Sequence, residues 1–205
     1  MKYKLLFFGL LALATAAAVC ARPQHDDDSS ALRNTVILVI RHAEKPEKGS
    51  SLSSEGKARA KAYVKYFKDF TIDGHPLKLD CLVAARDSST SHRPRLTIEP
   101  TAKALGLKID SRFDDDQAPK LARELQSRPH GTNILICWHH GEIPQLLHAL
   151  GADPKKLLPR SQWPDDVFGW LIQLRYDENG HLYESKRINE NLLPGDSANP
   201  EPPNP

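Results

Sequence analysis

Cysteine is scarce in this sequence, with three residues in a chain of 205. Three widely spaced cysteines cannot supply the disulfide framework of a small secreted domain. A dominant charge sign is also lacking, because 28 Lys and Arg oppose 26 Asp and Glu, for a formal net charge of +2. Because the positive and negative charges are nearly balanced, the composition gives no indication of a nucleic-acid partner. Hydrophobic residues make up 40% of the chain, which predicts one globular domain stabilised by burial.

The loops that bind nucleotides in many enzymes are absent from the sequence. It contains neither Gly-x-x-x-x-Gly-Lys, whose backbone amides and lysine cradle phosphates, nor the dinucleotide-binding Gly-x-Gly-x-x-Gly. The Gly-x-Ser-x-Gly elbow of serine hydrolases is missing too. These absences exclude the common nucleotide-dependent and serine-nucleophile classes, and we expect no cofactor.

Residues 1–21 are predicted to be a secretory signal peptide. Lys2 and Lys4 precede an apolar run over residues 5–20, which is somewhat short for an uncleaved membrane anchor. Cleavage after Ala21 leaves 26 basic against 26 acidic residues, a formal charge of zero. A lipid anchor at Cys20 is disfavoured by the bulky residue before it. We therefore expect a secreted or periplasmic protein with no membrane span after cleavage.

The folded domain is predicted to span residues 34–193. A polar linker over residues 22–33 precedes it, and a proline-rich tail over residues 194–205, predicted to be disordered, follows it. The domain contains Cys81 and Cys137, both in predicted buried strands, and we expect them to be core thiols rather than a disulfide.

Strands and helices alternate along this domain. Continuous β-branched and aliphatic runs predict buried strands at residues 35–40, 79–85 and 133–137. Apolar residues at helical spacing predict a helix capped by Ser53, with Ala60, Val64 and Phe67 on its buried face, and helices over residues 94–105, 118–125 and 143–150. Residues 167–176 and 182–188, joined by an Asn-Gly turn, predict a hairpin. The alternation predicts a three-layer α/β sandwich whose mainly parallel central sheet is flanked by helices.

Basic and imidazole side chains follow all three predicted buried strands: Arg41 and His42, then Arg86, His92 and Arg93, then His139 and His140. Ligands of open α/β sheets bind at the carboxyl ends of the strands. Arginine binds phosphate oxygens bidentately, and neutral histidine is a competent nucleophile. A second histidine near neutrality can donate to the same phosphate. The set therefore favours phosphoryl transfer through a phosphohistidine.

Four segments resemble the motifs of the histidine phosphatase superfamily, which includes phosphoglycerate mutases and histidine acid phosphatases. They lie in order within residues 36–188: Arg41-His42-Ala43-Glu44-Lys45-Pro46, Leu52-Ser53-Ser54-Glu55-Gly56 followed by Ala60, Arg93 with Thr97 and Thr101-Ala102, and Ile136-Cys137-Trp138-His139-His140-Gly141. The resemblance implies that fold and a phosphoric monoester hydrolase activity.

The same resemblance implies roles for individual residues. His42 is the expected nucleophile, Arg41 and Arg93 are expected to clamp the phosphate, and His140 is expected to complete the pocket. His140 is preferred to His139 because it directly precedes the glycine of the motif, and His139 is then expected to point elsewhere. Arg86 is a candidate for an additional phosphate contact.

The general acid is left open by the sequence. The resemblance allows a carboxylate either after the second arginine, which points to Asp114, Asp115 or Asp116, or beyond the second histidine, which points to Glu142. Glu44, although close to the nucleophile in the chain, is interpreted as a positioning residue.

A metal hydrolase is the rival enzyme class, since Cys137, His139, His140 and Glu142 are potential ligands, but no paired ligand spacing accompanies them, and we expect no metal. A phosphomutase of the same family and a non-catalytic phospholigand-binding protein remain alternatives. The export signal and short connections favour a phosphatase with an open site, acting on a small-molecule or peptide phosphomonoester. The oligomeric state stays open.

Overall fold

The structure, a computed structural model, describes residues 32–196. Its strands are β1 (Val36–Arg41), β2 (Thr71–Ile72), β3 (His75–Pro76), β4 (Cys81–Ala84), β5 (Ile109–Asp110), β6 (Asn133–Trp138), β7 (Trp170–Tyr176) and β8 (Leu182–Asn189). Its helices are α1 (Ser54–Lys68), α2 (Arg93–Leu105), α3 (Ala118–Gln126), α4 (Ile143–Ala149) and α5 (Pro154–Leu157), and a short 3-10 turn (Pro159–Ser161) follows α5. The predicted signal peptide, most of the linker and the tail from residue 197 lie outside these residues.

Six strands form one sheet in the order β5-β4-β6-β1-β7-β8. The strands β5, β4, β6 and β1 are parallel, whereas β7 runs antiparallel to β1 and β8 antiparallel to β7. The carboxyl ends of β4, β6 and β1 therefore meet at one edge. The predicted α/β class with a mainly parallel sheet is confirmed.

Strand β1 is buried on both faces, which explains its continuous apolar sequence. Ile37 and Val39 pack in one cluster with α3 and α4, and Leu38 and Ile40 pack in a second cluster with α1 and α2. The alternation follows from the two-residue period of a strand. Each of these side chains contributes about 1.5–3 kcal/mol through burial.

Local signals define two helix ends, and the Ser53 cap was predicted. The Ser53 hydroxyl caps α1 by accepting a hydrogen bond from the Gly56 amide at 3.0 Å, and α2 ends at Gly106 with φ of 68°. The buried face of α1 includes Tyr63, whereas Val64, expected on that face, is only partly buried.

The hairpin pattern predicted a strand that begins at Val167, but β7 begins at Trp170. The carbonyl of Val167 accepts hydrogen bonds from Arg41 Nη1 at 2.7 Å and from Trp163 Nε1 at 2.8 Å. Residues 163–168 are thus committed to a loop around Arg41. Five short elements were not predicted, because segments of this length show no hydrophobic periodicity. They are the strands β2, β3 and β5, the helix α5 and the 3-10 turn.

The folded unit extends beyond both predicted boundaries. Leu32 is buried in the core before residue 34, and Asp196 is buried three positions into the segment interpreted as a disordered tail. Asp196 is held by polar contacts, which a search for apolar residues misses. Cys81 and Cys137 are buried free thiols. Between residues 32 and 196 no helix is long and apolar enough to cross a membrane.

Candidate active site

The histidines at the ends of β1 and β6 lie side by side. Arg41 and Trp138 are register partners in these parallel strands, and the His42 amide continues the ladder by donating to the Trp138 carbonyl at 3.0 Å. The next residues, His42 and His139, lie at the following step of this ladder, with ring centroids 5.1 Å apart. The centroid of the His140 ring is 6.3 Å from that of His42. The expectation that His139 points elsewhere is wrong, because it neglected the strand register.

The imidazole of His42 is held in one tautomer. Its Nδ1 lies 2.7 Å from the Ala43 carbonyl oxygen, which can only accept, so Nδ1 carries the proton and Nε2 carries a lone pair. Burial and, to a smaller extent, the positive charge of Arg41 lower the pKa of His42 to about 3, against the opposing effect of the hydrogen bond to Ala43. His42 is therefore neutral at physiological pH, as a nucleophile must be.

The guanidinium of Arg41 is fixed by the loop before β7. Its Nη1 donates to the carbonyls of Pro164, Asp165 and Val167 at 2.9, 3.0 and 2.7 Å, and its Cζ lies 3.9 Å from the centroid of the Phe168 ring. Burial lowers the pKa of Arg41 to about 10, so it stays cationic at neutral pH. Arg41 is thus a buried positive charge. Within residues 32–196 no carboxylate forms an ion pair with it.

Arg93 opens α2 and is coupled to the loop after β1 through Thr97. The Thr97 hydroxyl accepts from the Ala43 amide at 2.9 Å and donates to the Arg93 carbonyl at 2.8 Å. The Arg93 side chain makes two long hydrogen bonds of 3.4 Å through Nη1, to the carbonyls of Gly49 and Thr90. Burial lowers the pKa of Arg93, and its charge is close enough to lower that of His42.

Three polar atoms of this site are buried without a partner in the described part of the chain. They are Nε of Arg41, Nε of Arg93 and Nδ1 of His140. A buried donor left without an acceptor costs about 1–3 kcal/mol. The two arginine donors, and the imidazole when protonated, therefore favour an anion bound beside His42.

A carboxylate that was not predicted from the sequence also lies at the site. Asp165, in the loop before β7, places Oδ1 at 2.8 Å from His140 Nε2, and its side chain is 92% exposed. Asp165 lies in neither of the two segments where the sequence resemblance places the acid, after the second arginine or beyond the second histidine. Because β7 is antiparallel to β1, the residues before β7 lie at the same edge as the carboxyl end of β1.

The other predicted residues are dispersed around the site. Arg86 is exposed, donates to the Arg112 carbonyl and pairs with Asp114 at 3.3 Å, so its contacts lie on a neighbouring groove. Asp115 is nearer the histidines, because its carbonyl accepts from the indole of Trp138 and its charge raises the pKa of His139 against the larger effect of burial.

Two further acid candidates lie at the margin. Asp116 is exposed, and Glu142 is the partly buried N-cap residue of α4, whose side chain makes no capping hydrogen bond. The contacts found between residues 32 and 196 give neither carboxylate a partner in the site.

Glu44 is a support for the loop, as its predicted positioning role requires. Its Oε1 accepts from Arg59 Nε at 2.8 Å and Nη2 at 2.7 Å. Arg59 also donates to both carboxylate oxygens of Asp196, at 2.9 and 2.7 Å. Gly56 packs against the Glu44 backbone so closely that a Cβ would lie 2.4 Å from its carbonyl oxygen. These contacts fix the chain directly after His42.

Within residues 32–196, no group of three or more His, Cys, Asp and Glu side chains is arranged to hold a metal ion. The cluster of Cys137, His139, His140 and Glu142 considered for a metal hydrolase is therefore not assembled there. Cys137 in particular is buried in the core, and burial raises the pKa of its thiol.

Solved structures provide the comparison with known proteins. A mutant of phosphoserine phosphatase from Entamoeba histolytica in complex with phosphoserine matches at TM-score 0.50 and 11% identity, over 74% of this chain and 96% of that one. The chain has the histidine phosphatase fold. The expected resemblance in fold is confirmed, and at this identity it extends no further than the fold.

Other structures with the histidine phosphatase fold match similarly. The protein histidine phosphatase SixA complexed with tungstate matches at TM-score 0.48 and 12% identity, over 73% of this chain and 95% of that one. Phosphoglycerate mutase from Plasmodium falciparum matches at 0.49 and 17%, over 73% and 89%. No protein-family model and no curated protein matches the chain.

Proposed function

We propose that this protein is a phosphomonoester phosphatase that works through a phosphohistidine on His42. The observation that carries the proposal is a neutral imidazole, with its Nε2 lone pair available, beside the unpartnered Nε donors of Arg41 and Arg93. The oxygens of a phosphoryl group supply the acceptors that these donors lack. When His140 is protonated, its Nδ1 supplies a further donor, against the effect of burial, which lowers the pKa of this imidazole.

The geometry supports an in-line displacement. The arginines hold the phosphoryl oxygens and neutralise their charge, and Nε2 of His42 forms the bond to phosphorus. The Nδ1–H bond to the Ala43 carbonyl at 2.7 Å keeps the ring oriented and stabilises the positive charge that develops on it. Water then attacks the phosphohistidine and releases phosphate.

The substrate class follows from the layout. Arg41 and His42 are almost fully buried, whereas His139 and His140 are partly exposed. The phosphoryl group therefore binds deep, with the rest of the substrate toward solvent, which favours a small-molecule or peptide phosphomonoester. Export through the signal peptide of residues 1–21 belongs to the same proposal, and N-terminal sequencing of the exported chain tests it.

The experiment uses a panel of phosphomonoesters, including para-nitrophenyl phosphate, with and without a chelator. We expect turnover that is insensitive to the chelator, and an acid-labile, alkali-stable phosphoenzyme after rapid quench. His42→Asn should abolish both, whereas His148→Asn, at an exposed position on α4, should change neither. Circular dichroism of both variants controls for folding.

The contrary results are distinct. Full turnover by His42→Asn would exclude the phosphohistidine, and turnover lost only with the chelator would favour a metal hydrolase. Transfer of phosphate to a second substrate hydroxyl rather than to water would identify a mutase, and phosphate-ester binding without turnover would identify a binding protein.

A further inference from the structure

The proposed phosphatase needs an acid for the leaving group, and the deep part of the pocket does not offer Glu44 for that purpose. Glu44 is engaged by Arg59. Since Arg41 and His42 lie at the bottom of the site, the ester oxygen of a bound substrate points toward solvent. The acid must therefore lie at the mouth of the pocket.

Asp165 occupies that mouth. Its backbone carbonyl accepts from Arg41 Nη1 at 3.0 Å, and its carboxylate Oδ1 lies 2.8 Å from His140 Nε2. One residue thus contacts both a phosphate-clamping arginine and a histidine of the site. The side chain is 92% exposed, so the carboxylate is open to the solvent toward which the leaving group would depart.

The loop that carries Asp165 is anchored on both sides. Arg41 donates to three of its carbonyls, Phe168 packs on the guanidinium, and Trp163 Nε1 donates to the Val167 carbonyl at 2.8 Å. The backbone at Asp165 is therefore held by the same arginine that binds the phosphate, and His140 orients the carboxylate. A catalytic acid needs this reproducible placement.

We propose that Asp165 is the general acid and base of this phosphatase, with His140 holding its carboxyl group. This inference rests on the proposed function. Oδ1 accepts from His140 Nε2–H while Oδ2 carries the transferable proton.

The proposed hydrolysis has two chemical steps, and Asp165 regains in the second the proton that it gives up in the first. In the first, the Nε2 lone pair of His42 forms the N–P bond, the P–O ester bond breaks with its electrons on oxygen, and the Asp165 proton moves to that oxygen, releasing an alcohol. In the second, water forms a P–O bond, one water proton returns to the Asp165 carboxylate, and the N–P electrons return to His42. The products are alcohol and phosphate.

The geometry favours Asp165 over the carboxylates predicted from sequence. Asp114 pairs with Arg86 on the neighbouring groove. In the described residues, the carboxylates of Asp116 and Glu142 make no hydrogen bond or ion pair with the histidines. Asp115 is the nearest competitor, since its charge acts on His139, but its only hydrogen bond found in the described residues is made by its backbone carbonyl.

The test compares leaving groups. In Asp165→Asn, kcat/KM for an alkyl phosphate such as glycerol phosphate should fall by about 100-fold to 10,000-fold, because an alkoxide needs a proton to leave. With para-nitrophenyl phosphate, whose leaving group is stable as an anion, kcat/KM should fall less than about 10-fold. Asp166→Asn, at the adjacent exposed position, should leave both values unchanged.

The same measurements can overturn the assignment. Equal losses for the two substrates, or no loss, would exclude Asp165 as the acid. A leaving-group-dependent loss in Asp115→Asn instead would assign the role to Asp115. Failure of the proposed function is distinguishable, because wild-type protein would then form no phosphoenzyme from either substrate.

Discussion

The rings of His42 and His139 make an edge-to-face contact, with centroids 5.1 Å apart and planes at 70°. The contact follows from the parallel pairing of β1 with β6, which aligns Arg41 with Trp138. Burial lowers the pKa of both histidines, and the His139 imidazole, when charged, also lowers the pKa of His42. The nucleophile is thus surrounded by groups that keep it neutral.

His139→Asn should lower kcat/KM by about 100-fold, the loss typical of one stabilising donor at a reacting group. Steady-state kinetics with para-nitrophenyl phosphate measures it, and His148→Asn is the control. Near-normal turnover would mean that His140 alone supplies the second imidazole.

Arg93→Lys should lower kcat/KM by about 100-fold or more, because lysine cannot make a bidentate contact with phosphate. The affinity for inorganic phosphate as a competitive inhibitor should weaken in parallel. Arg95→Lys is the matched control on α2, since Arg95 pairs with Asp87 and Glu99 outside the site. A tolerated lysine at position 93 would remove Arg93 from the clamp.

The stability should fall as the pH is lowered through the range set by His42. The unfolded chain protonates His42 below its ordinary pKa of 6.5, whereas the folded protein keeps it neutral down to about 3. Between these pH values the unfolded state binds one proton more than the folded state. The free energy of unfolding therefore falls by at most about 1.4 kcal/mol for each unit by which the pH is lowered. Urea unfolding between about pH 6.5 and pH 5 should show a shallower pH dependence for His42→Asn than for wild type. Identical slopes would contradict the burial of a neutral imidazole.

Gly56→Ala should destabilise the protein by about 1–3 kcal/mol, because the added Cβ meets backbone that cannot move aside without displacing the loop after His42. The clash is with the Glu44 carbonyl oxygen at 2.4 Å, whereas a Cβ at Gly141 meets nothing within 4 Å. Urea unfolding of both variants makes the comparison, and equal stabilities would show that the loop adapts.

Asp196→Asn should lower the free energy of unfolding by about 1–3 kcal/mol. Oδ2 of Asp196 accepts from Arg59 and from the amides of Leu192 and Leu193, and an amide group placed there offers only one oxygen to these donors. Asp166→Asn supplies the exposed control. An unchanged unfolding curve would indicate that Glu44 alone satisfies Arg59.

The fold and the residues that follow β1 could be predicted from the sequence, because a buried strand followed by Arg41 and His42 is a local pattern. Three features depended on long-range pairing and were not visible locally. The contact of His139 with His42 requires the register of β1 and β6, Asp165 joins through an antiparallel strand, and Asp196 is brought to Arg59 by the closure of the domain. Each is specified by hydrogen bonds between segments distant in the chain.

The salt bridge between Arg59 and Asp196 joins residues 137 positions apart in the chain. During synthesis the amino-terminal segments fold first, so a nascent chain contains Glu44 and Arg59 long before Asp196. The loop that follows the nucleophile therefore receives its last anchor only when almost the entire domain has been made. Formation of the active-site loop is in this way coupled to completion of the domain.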